Sequence, residues 1–183
     1  TTLALAAIGA TIVILAGGLD LSPAAVISLV NVVLATQLGD ADLSTGTYAV
    51  TALAISLGLG ALIGAVNGFL VAYVRLQSII VTLATMFIAQ GAALLILKSP
   101  GGVFSYDASM LLVGDVIPDL IPSPLVVVAV GLLVWLYLKS SRLGVSLYAV
   151  GSDETAAASN GVRAPRTRFW SFVIAGAFYG AAG

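Results

Sequence analysis

Long apolar runs separated by short polar breaks set the pattern of this chain. The first run covers about residues 3–16 and is broken by Gly17-Gly18-Leu19-Asp20-Leu21-Ser22-Pro23. The second covers about 24–38 and ends at the acidic turn Gly39-Asp40-Ala41-Asp42. The third, about 48–74, exceeds a ~30 Å hydrocarbon core at about 1.5 Å per residue, which predicts tilt or an overhanging end. Arg75-Leu76-Gln77-Ser78 is a tight turn before a fourth run over about 79–97. The looser region 98–124 holds an apolar piece, 110–113, too short to span, and Pro118, Pro122 and Pro124 favour fixed turns over helix there. A fifth run covers about 125–138, a polar island covers 139–168, and a sixth run begins near Phe169 and is cut at Gly183.

These periods predict an all-α, polytopic integral membrane bundle of about five complete transmembrane helices and one truncated helix. Residues 1–183 read as one transmembrane domain. Because the chain opens and closes inside apolar runs, it is expected to be the interior of a longer polytopic protein.

Composition agrees: 60% of residues are hydrophobic, 8% are charged, and mean hydropathy is +1.14. A soluble domain carries about 25% charged residues, so this excess of apolar surface calls for lipid. The net charge of -1 gives no bulk attraction for nucleic acid. With no Cys and no His, thiol nucleophiles, the usual zinc sites and His acid–base chemistry are excluded. No metal site, no bound cofactor and no catalytic set is read from the chain. It also lacks a G-x-x-x-x-G-K-[ST] run, so any ATP would bind elsewhere.

The island holds five of the seven basic residues, and basic loops between spans normally face the cytoplasm. Counting back puts the Arg75 turn on the same side and the 39–47 and 98–124 loops on the other. Those outer loops carry Asp40, Asp42, Asp107, Asp115 and Asp119 against Lys98; within 98–124, Lys98, Asp107, Asp115 and Asp119 are candidates for contact with a soluble protein outside, a disordered connector being the alternative. By the same count residues 17–23 should turn inside, yet they are acidic; an intramembrane break buried against other helices is the alternative. Within the island a short helix is predicted over 153–159, capped by Ser152 or Asp153, ended by Gly161, with Pro165 discouraging immediate resumption. It reads either as a gripping point for a soluble partner or as a solvated loop with a basic collar at Arg163, Arg166 and Arg168.

Polar groups inside apolar runs are the other candidates. Asp20 reads as part of a gate or pore, or as part of a helix start with Ser22 as N-cap and Pro23 at N1. Gly60, Gly64 and Gly68 fall on one helix face and suit close helix packing, a logic that Gly176 and Gly180 repeat. Asn67, Thr82, Thr85 and Gln90 read as interhelical hydrogen-bonding groups or as a sparsely polar path lining. Thr82 and Thr85 share a face with Ala89 and Ala93, and Gln90 points elsewhere.

Three stretches resemble a known family. Ala16-Gly17-Gly18-Leu19-Asp20-Leu21-Ser22 is similar to GGIDLS. Gly64-Ala65-Val66-Asn67-Gly68, continued by Gln77-Ser78-Ile79-Ile80-Val81-Thr82-Leu83-Ala84-Thr85-Met86, is similar to G-x-x-N-G…Q-P-F-I-V-T-L-A-T-M. Tyr148-Ala149-Val150-Gly151-Ser152-Asp153-Glu154-Thr155-Ala156-Ala157 is similar to Y-A-I-G-x-N-x-x-A-A. In this order they resemble the permease subunit of ribose/xylose-type ABC sugar importers. Departures are Ser78 for Pro, Gln90 for Arg, Asp153 for Asn, Asn160-Gly161 for Ser-Gly, and Pro23-Ala24 for Val-Gly.

The resemblance implies a multi-pass protein of the bacterial inner membrane, a second permease copy or homologue, a cytoplasmic ABC ATPase that binds ATP and Mg, and a periplasmic or extracellular sugar-binding protein. It further implies that 139–168 is a cytoplasmic coupling loop whose short helix docks into the ATPase through Gly151, Asp153, Glu154, Ala156, Ala157, Asn160 and Gly161. There the alanines would form a smooth face and the two acids would pair with the partner. Alternatives are a branched-chain amino-acid ABC permease and, in a different class, an ion-gradient-driven secondary transporter.

Overall fold

The computed structural model describes residues 1–39, 44–98, 115–117 and 121–183. Among these, eight helices form: α1 Thr2–Leu15, α2 Pro23–Gln37, α3 Thr45–Ala72, α4 Ser78–Ile96, α5 Ser123–Ser140, α6 Arg142–Ser152, α7 Glu154–Ser159 and α8 Ala164–Ala182. A two-stranded antiparallel pairing of β1 (Asp115–Ile117) with β2 (Ile121–Pro122) precedes α5. Residues 40–42, 107, 110–113 and 119, named above, lie outside the described residues.

The chain folds as a helical membrane bundle. α3, α4 and α5 are long and apolar enough to cross a membrane, whereas α1 and α2 are apolar but only 14 and 15 residues long. The 28 residues of α3 extend about 42 Å, well past a ~30 Å core. Aromatic rings mark one interface: Phe69, Tyr73, Phe169 and Trp170 form a chain with centroids 5.5–5.9 Å apart. Amphipathic aromatics favour the headgroup level, and Arg75, Arg163, Arg166 and Arg168 lie just beyond or beside this level in sequence. This is the basic end of the bundle.

α8 is the central helix. It packs on α1, α2, α3, α6 and α7, and buries Phe172, Ala175 and Tyr179 in one cluster with Val13, Val26, Val30 and Leu34. Its closest neighbour is α3, which runs antiparallel to it. A Cβ on Gly60 would strike the Gly176 carbonyl, and one on Gly64 would strike that of Phe172. One on Gly68 would sit 2.8 Å from the Phe169 carbonyl. In return, Cβ atoms on Gly176 and Gly180 would strike the carbonyls of Gly60 and Ser56. Two glycine rows therefore mesh backbone to backbone, gaining dispersion and Cα–H···O contacts that lipid cannot replace.

Two local expectations change. Pro165 does not delay resumption; it occupies the first turn of α8, where its missing N–H has no helical partner to lose. α8 accordingly starts about five residues before Phe169. Within the island, α6 is a helix with Leu147 and Val150 fully buried, packed against α1 and α8. Its Leu143, Leu147 and Val150 spacing carried that helical signal within a stretch that looked polar as a whole.

If the glycine rows set the α3–α8 separation, Gly176→Ala should lower stability by about 1–3 kcal/mol through overpacking. Gly58→Ala, where an added Cβ meets nothing within 4 Å, should stay within about 0.5 kcal/mol of the parent or gain slightly. Denaturation midpoints of both variants in detergent check the contrast.

Candidate functional site

α1 ends in a Schellman turn. Gly17 takes φ +76°, its N–H donates to the Ile14 carbonyl, and the Gly18 N–H donates to the Val13 carbonyl. Gly18 lies beside Phe172, and the Arg168 Nε–H donates to the Ala16 carbonyl at 3.4 Å, so this turn sits at the basic end. From there the chain does not re-enter a helix at once. Residues 19–22 run along the first turns of α4, whose side chains accept from two of their N–H groups. The Leu19 N–H donates to Ser78 Oγ at 3.1 Å, and the Leu21 N–H donates to Thr82 Oγ1 at 3.1 Å.

The match is geometric. Two residues of extended chain advance about 6.6 Å and one four-residue helical step about 6 Å, so hydroxyls at i and i+4 meet alternate N–H groups. Thr82 Oγ1 also donates back to the Ser78 carbonyl at 2.9 Å, which fixes its rotamer. The N–H and hydroxyl of Ser22 donate to Asp20 Oδ1 at 2.9 and 2.6 Å. Asn67 Nδ2 donates to Ser22 Oγ at 3.4 Å, and the Thr85 hydroxyl donates to Asn67 Oδ1. The Tyr179 hydroxyl faces Asp20 and, among the described residues, meets no partner within hydrogen-bond geometry.

α2 therefore starts level with Thr85, seven residues or about 10 Å into α4, and continues for about 22 Å more. Ala25 and Leu29 join Ala89 and Ala93 in one cluster, so the two helices run on together. Gly17-Gly18 thus turns at the basic end, and residues 19–22 form a non-helical link beside the first turns of α4. Ser22 occupies the N-cap position with Pro23 at N1, but its hydroxyl binds Asp20 instead of capping.

Five of the six candidate path residues, Asp20, Ser22, Asn67, Thr82 and Thr85, thus meet in one network. Ser22, Asn67 and Thr82 are at most 1% exposed, so in this conformation they line no open surface, while Leu19 and Leu21 of the same segment are exposed. Gln90 does not join them and is exposed on another face of α4. Ser78, absent from the candidate residues, is a member; its departure from the family's Pro was the available signal.

The second candidate lies at the basic end. Asp153 caps α7, its Oδ1 accepting from the N–H groups of Thr155 at 2.8 Å and Ala156 at 3.0 Å. Gly161, at φ +81°, closes the other end in a second Schellman turn: the Val162 N–H reaches the Ala157 carbonyl, and Asn160 Nδ2 donates to the Ala156 carbonyl at 2.8 Å. Glu154 Oε2 pairs with Arg168 Nη2 at 2.8 Å. With the two side chains 50% and 30% exposed, screening limits such a pair to about 0–1 kcal/mol. Both acids expected to face a partner are thus engaged within the chain, Asp153 because an N-cap needs its carboxylate and Glu154 because Arg168 is adjacent. Ala157 turns inward onto Val150 and Ala164, while Ala156 faces solvent with Thr155 and Ser159. Gly151 abuts the end of α1, where a Cβ would strike the Leu15 carbonyl.

Thr82→Val should leave the Leu21 N–H without an acceptor at low dielectric and lower stability by about 1–3 kcal/mol. Thr82→Ser should remain near the parent. Thermal unfolding of the two variants in detergent distinguishes a hydroxyl requirement from a packing one.

The sequence model of the family described as "Branched-chain amino acid transport system / permease component" matches residues 1–183. The chain is 32% identical to the ribose import permease of Escherichia coli K12, over 98% of this chain and 56% of that one. It is 33% identical to the xylose/arabinose import permease of Sulfolobus acidocaldarius, over 92% of this chain and 47% of that one. It is also 33% identical to the galactofuranose transporter permease of E. coli K12, over 94% and 49%. The chain spans about half the length of the curated relatives it matches, and no solved structure gives a significant match. With the family model matching from end to end, the chain belongs to the branched-chain amino acid transport system / permease component family.

Proposed function

We propose that the chain is part of the membrane-spanning permease of an ATP-driven importer for a monosaccharide. The observation that carries this reading is the 32% identity to a ribose import permease over 98% of the chain. Relatives named for xylose/arabinose, galactofuranose and fructose point to the same substrate class. On this reading the basic end faces the cytoplasm of a bacterial inner membrane, consistent with its arginines and aromatic belt. A cytoplasmic ABC ATPase binds ATP and Mg there. A second permease copy or homologue completes the path, and an external binding protein delivers the sugar.

α7 supports the coupling role assigned to this region. It is a short helix fixed at both ends by Asp153 and by Asn160-Gly161, it buries Ala157, and it leaves Ala156 and its neighbours open to a partner's groove. A small, smooth helix face packs closely, and its caps keep it rigid under load. Asp20 sits in the segment that any opening at the basic end would disturb, which suits a gating role better than direct sugar contact. A second reading, import of branched-chain amino acids, has the family's own description in its favour.

In proteoliposomes holding the complete permease with its ATPase and binding protein, ATP should drive uptake of a pentose or hexose. Uptake of leucine instead would favour the second reading, and uptake driven by a proton gradient without ATP would contradict both. Asp153→Ala should remove a cap worth about 1 kcal/mol and reduce both ATPase co-purification and uptake, while Asp153→Asn, which still caps, should retain them.

A further inference from the structure

The two candidate regions touch, and one side chain bridges them. Arg168, in the first turns of α8, donates through Nε to the Ala16 carbonyl and pairs through Nη2 with Glu154. Ala16 is the last residue before the Gly17 turn, and Glu154 is the first residue of α7. Beside this bridge, Gly151 meets α1 and Gly17 directly: a Cβ on Gly17 would lie 3.7 Å from the Gly151 Cα. The end of α6 thus bears on the turn that launches the intramembrane segment.

From these contacts we infer that Arg168 is a positioning residue that ties the setting of α7 to that of the 17–22 break. The inference rests on the permease reading and specifies how motion at α7 would reach membrane depth. Three observations support it. First, the pair is too exposed to be a stability device, yet it joins three segments distant in sequence. Second, the Ala16 end of the link adjoins a left-handed glycine, Gly17, where the backbone turns sharply without a Cβ penalty. Third, there is room to move. A cleft of about 390 Å³ opens between these parts, lined by Gly17, Gly18, Arg75, Ser78, Glu154 and Arg168.

The direction of transmission follows from the hydrogen bonds. A displacement of α7 that carries Glu154 away releases Arg168 from one side, leaving it free to shift on the Ala16 carbonyl. The Gly17 turn then moves relative to Ser78, whose hydroxyl holds the Leu19 N–H. Leu19 is 49% exposed, so its environment reports the change. A bidentate-capable guanidinium suits this task because one planar group can hold a carbonyl and a carboxylate together.

The described chain has no cysteine, so Leu19→Cys can serve as a reporter in the complete permease with any other cysteine replaced. Maleimide labelling of the assembled complex is measured without nucleotide and in a vanadate-trapped ATP state. With Arg168 present the labelling rate should differ by about fivefold or more between the states, as expected of coupled sites. In Arg168→Met the ratio should fall toward one while the ATPase still co-purifies and hydrolyses ATP, and in Glu154→Gln the ratio, read on the ATPase-bound fraction, should fall likewise. The exchanged pair Glu154→Arg with Arg168→Glu should not restore the ratio, because a carboxylate at position 168 cannot donate to the Ala16 carbonyl. An unchanged ratio in both single variants, or no difference between states with Arg168 present, overturns the inference. Failure of the ATPase to bind the unaltered permease overturns the permease reading itself, which separates the two outcomes.

Discussion

Non-helical backbone cannot lie in hydrocarbon with its N–H groups unmade, and the link between α1 and α2 meets that constraint with side chains: Ser78, Thr82 and Asp20 accept from the N–H groups of Leu19, Leu21 and Ser22. Ser78 and Thr82, one helical turn apart, stand where a neighbouring strand would be. Everything around the break follows from this arrangement. α4 must lie against the segment, Asn67 must come across from α3 to reach Ser22, and Thr85 must hold the far side of Asn67. The network is closed almost entirely within the protein, and it fixes the depth at which α2 begins.

The glycine rows of α3 and α8 provide the second frame. By letting the two backbones meet, they place Asn67 and Phe172 side by side with the break and bring the start of α8 to the Gly17 turn. α8 then carries Arg168 to the one position from which it reaches both α1 and α7. The membrane-depth network and the helix at the basic end are therefore parts of one structure.

Much of this was legible in the sequence. Hydropathy marks α3, α4 and α5, because a helix in lipid needs long uniform apolar composition and leaves that signature. The spacing of Gly60, Gly64 and Gly68 identified a close contact, since nothing else needs three small residues on one face. The caps of α7 were readable from Asp153 and Gly161. What was not readable depends on tertiary pairing. Ser22 looked like an N-cap from its place before Pro23, yet Asp20 competes for its hydroxyl. Glu154 looked free for a partner until Arg168, fourteen residues on, was folded back beside it. α6 was hidden by its polar neighbours, and Ser78 drew notice only as a departure from a family pattern.

The central claim is that the link between α1 and α2 packs on α4, with the Leu19 and Leu21 N–H groups held by Ser78 and Thr82. Site-resolved amide hydrogen exchange of the protein in lipid nanodiscs tests it most directly. The Leu21 amide should exchange slowly, at rates comparable to those within α4, and Thr82→Val should accelerate it selectively. Exchange of Leu21 at the rate of a solvated loop in the unaltered protein would contradict the account.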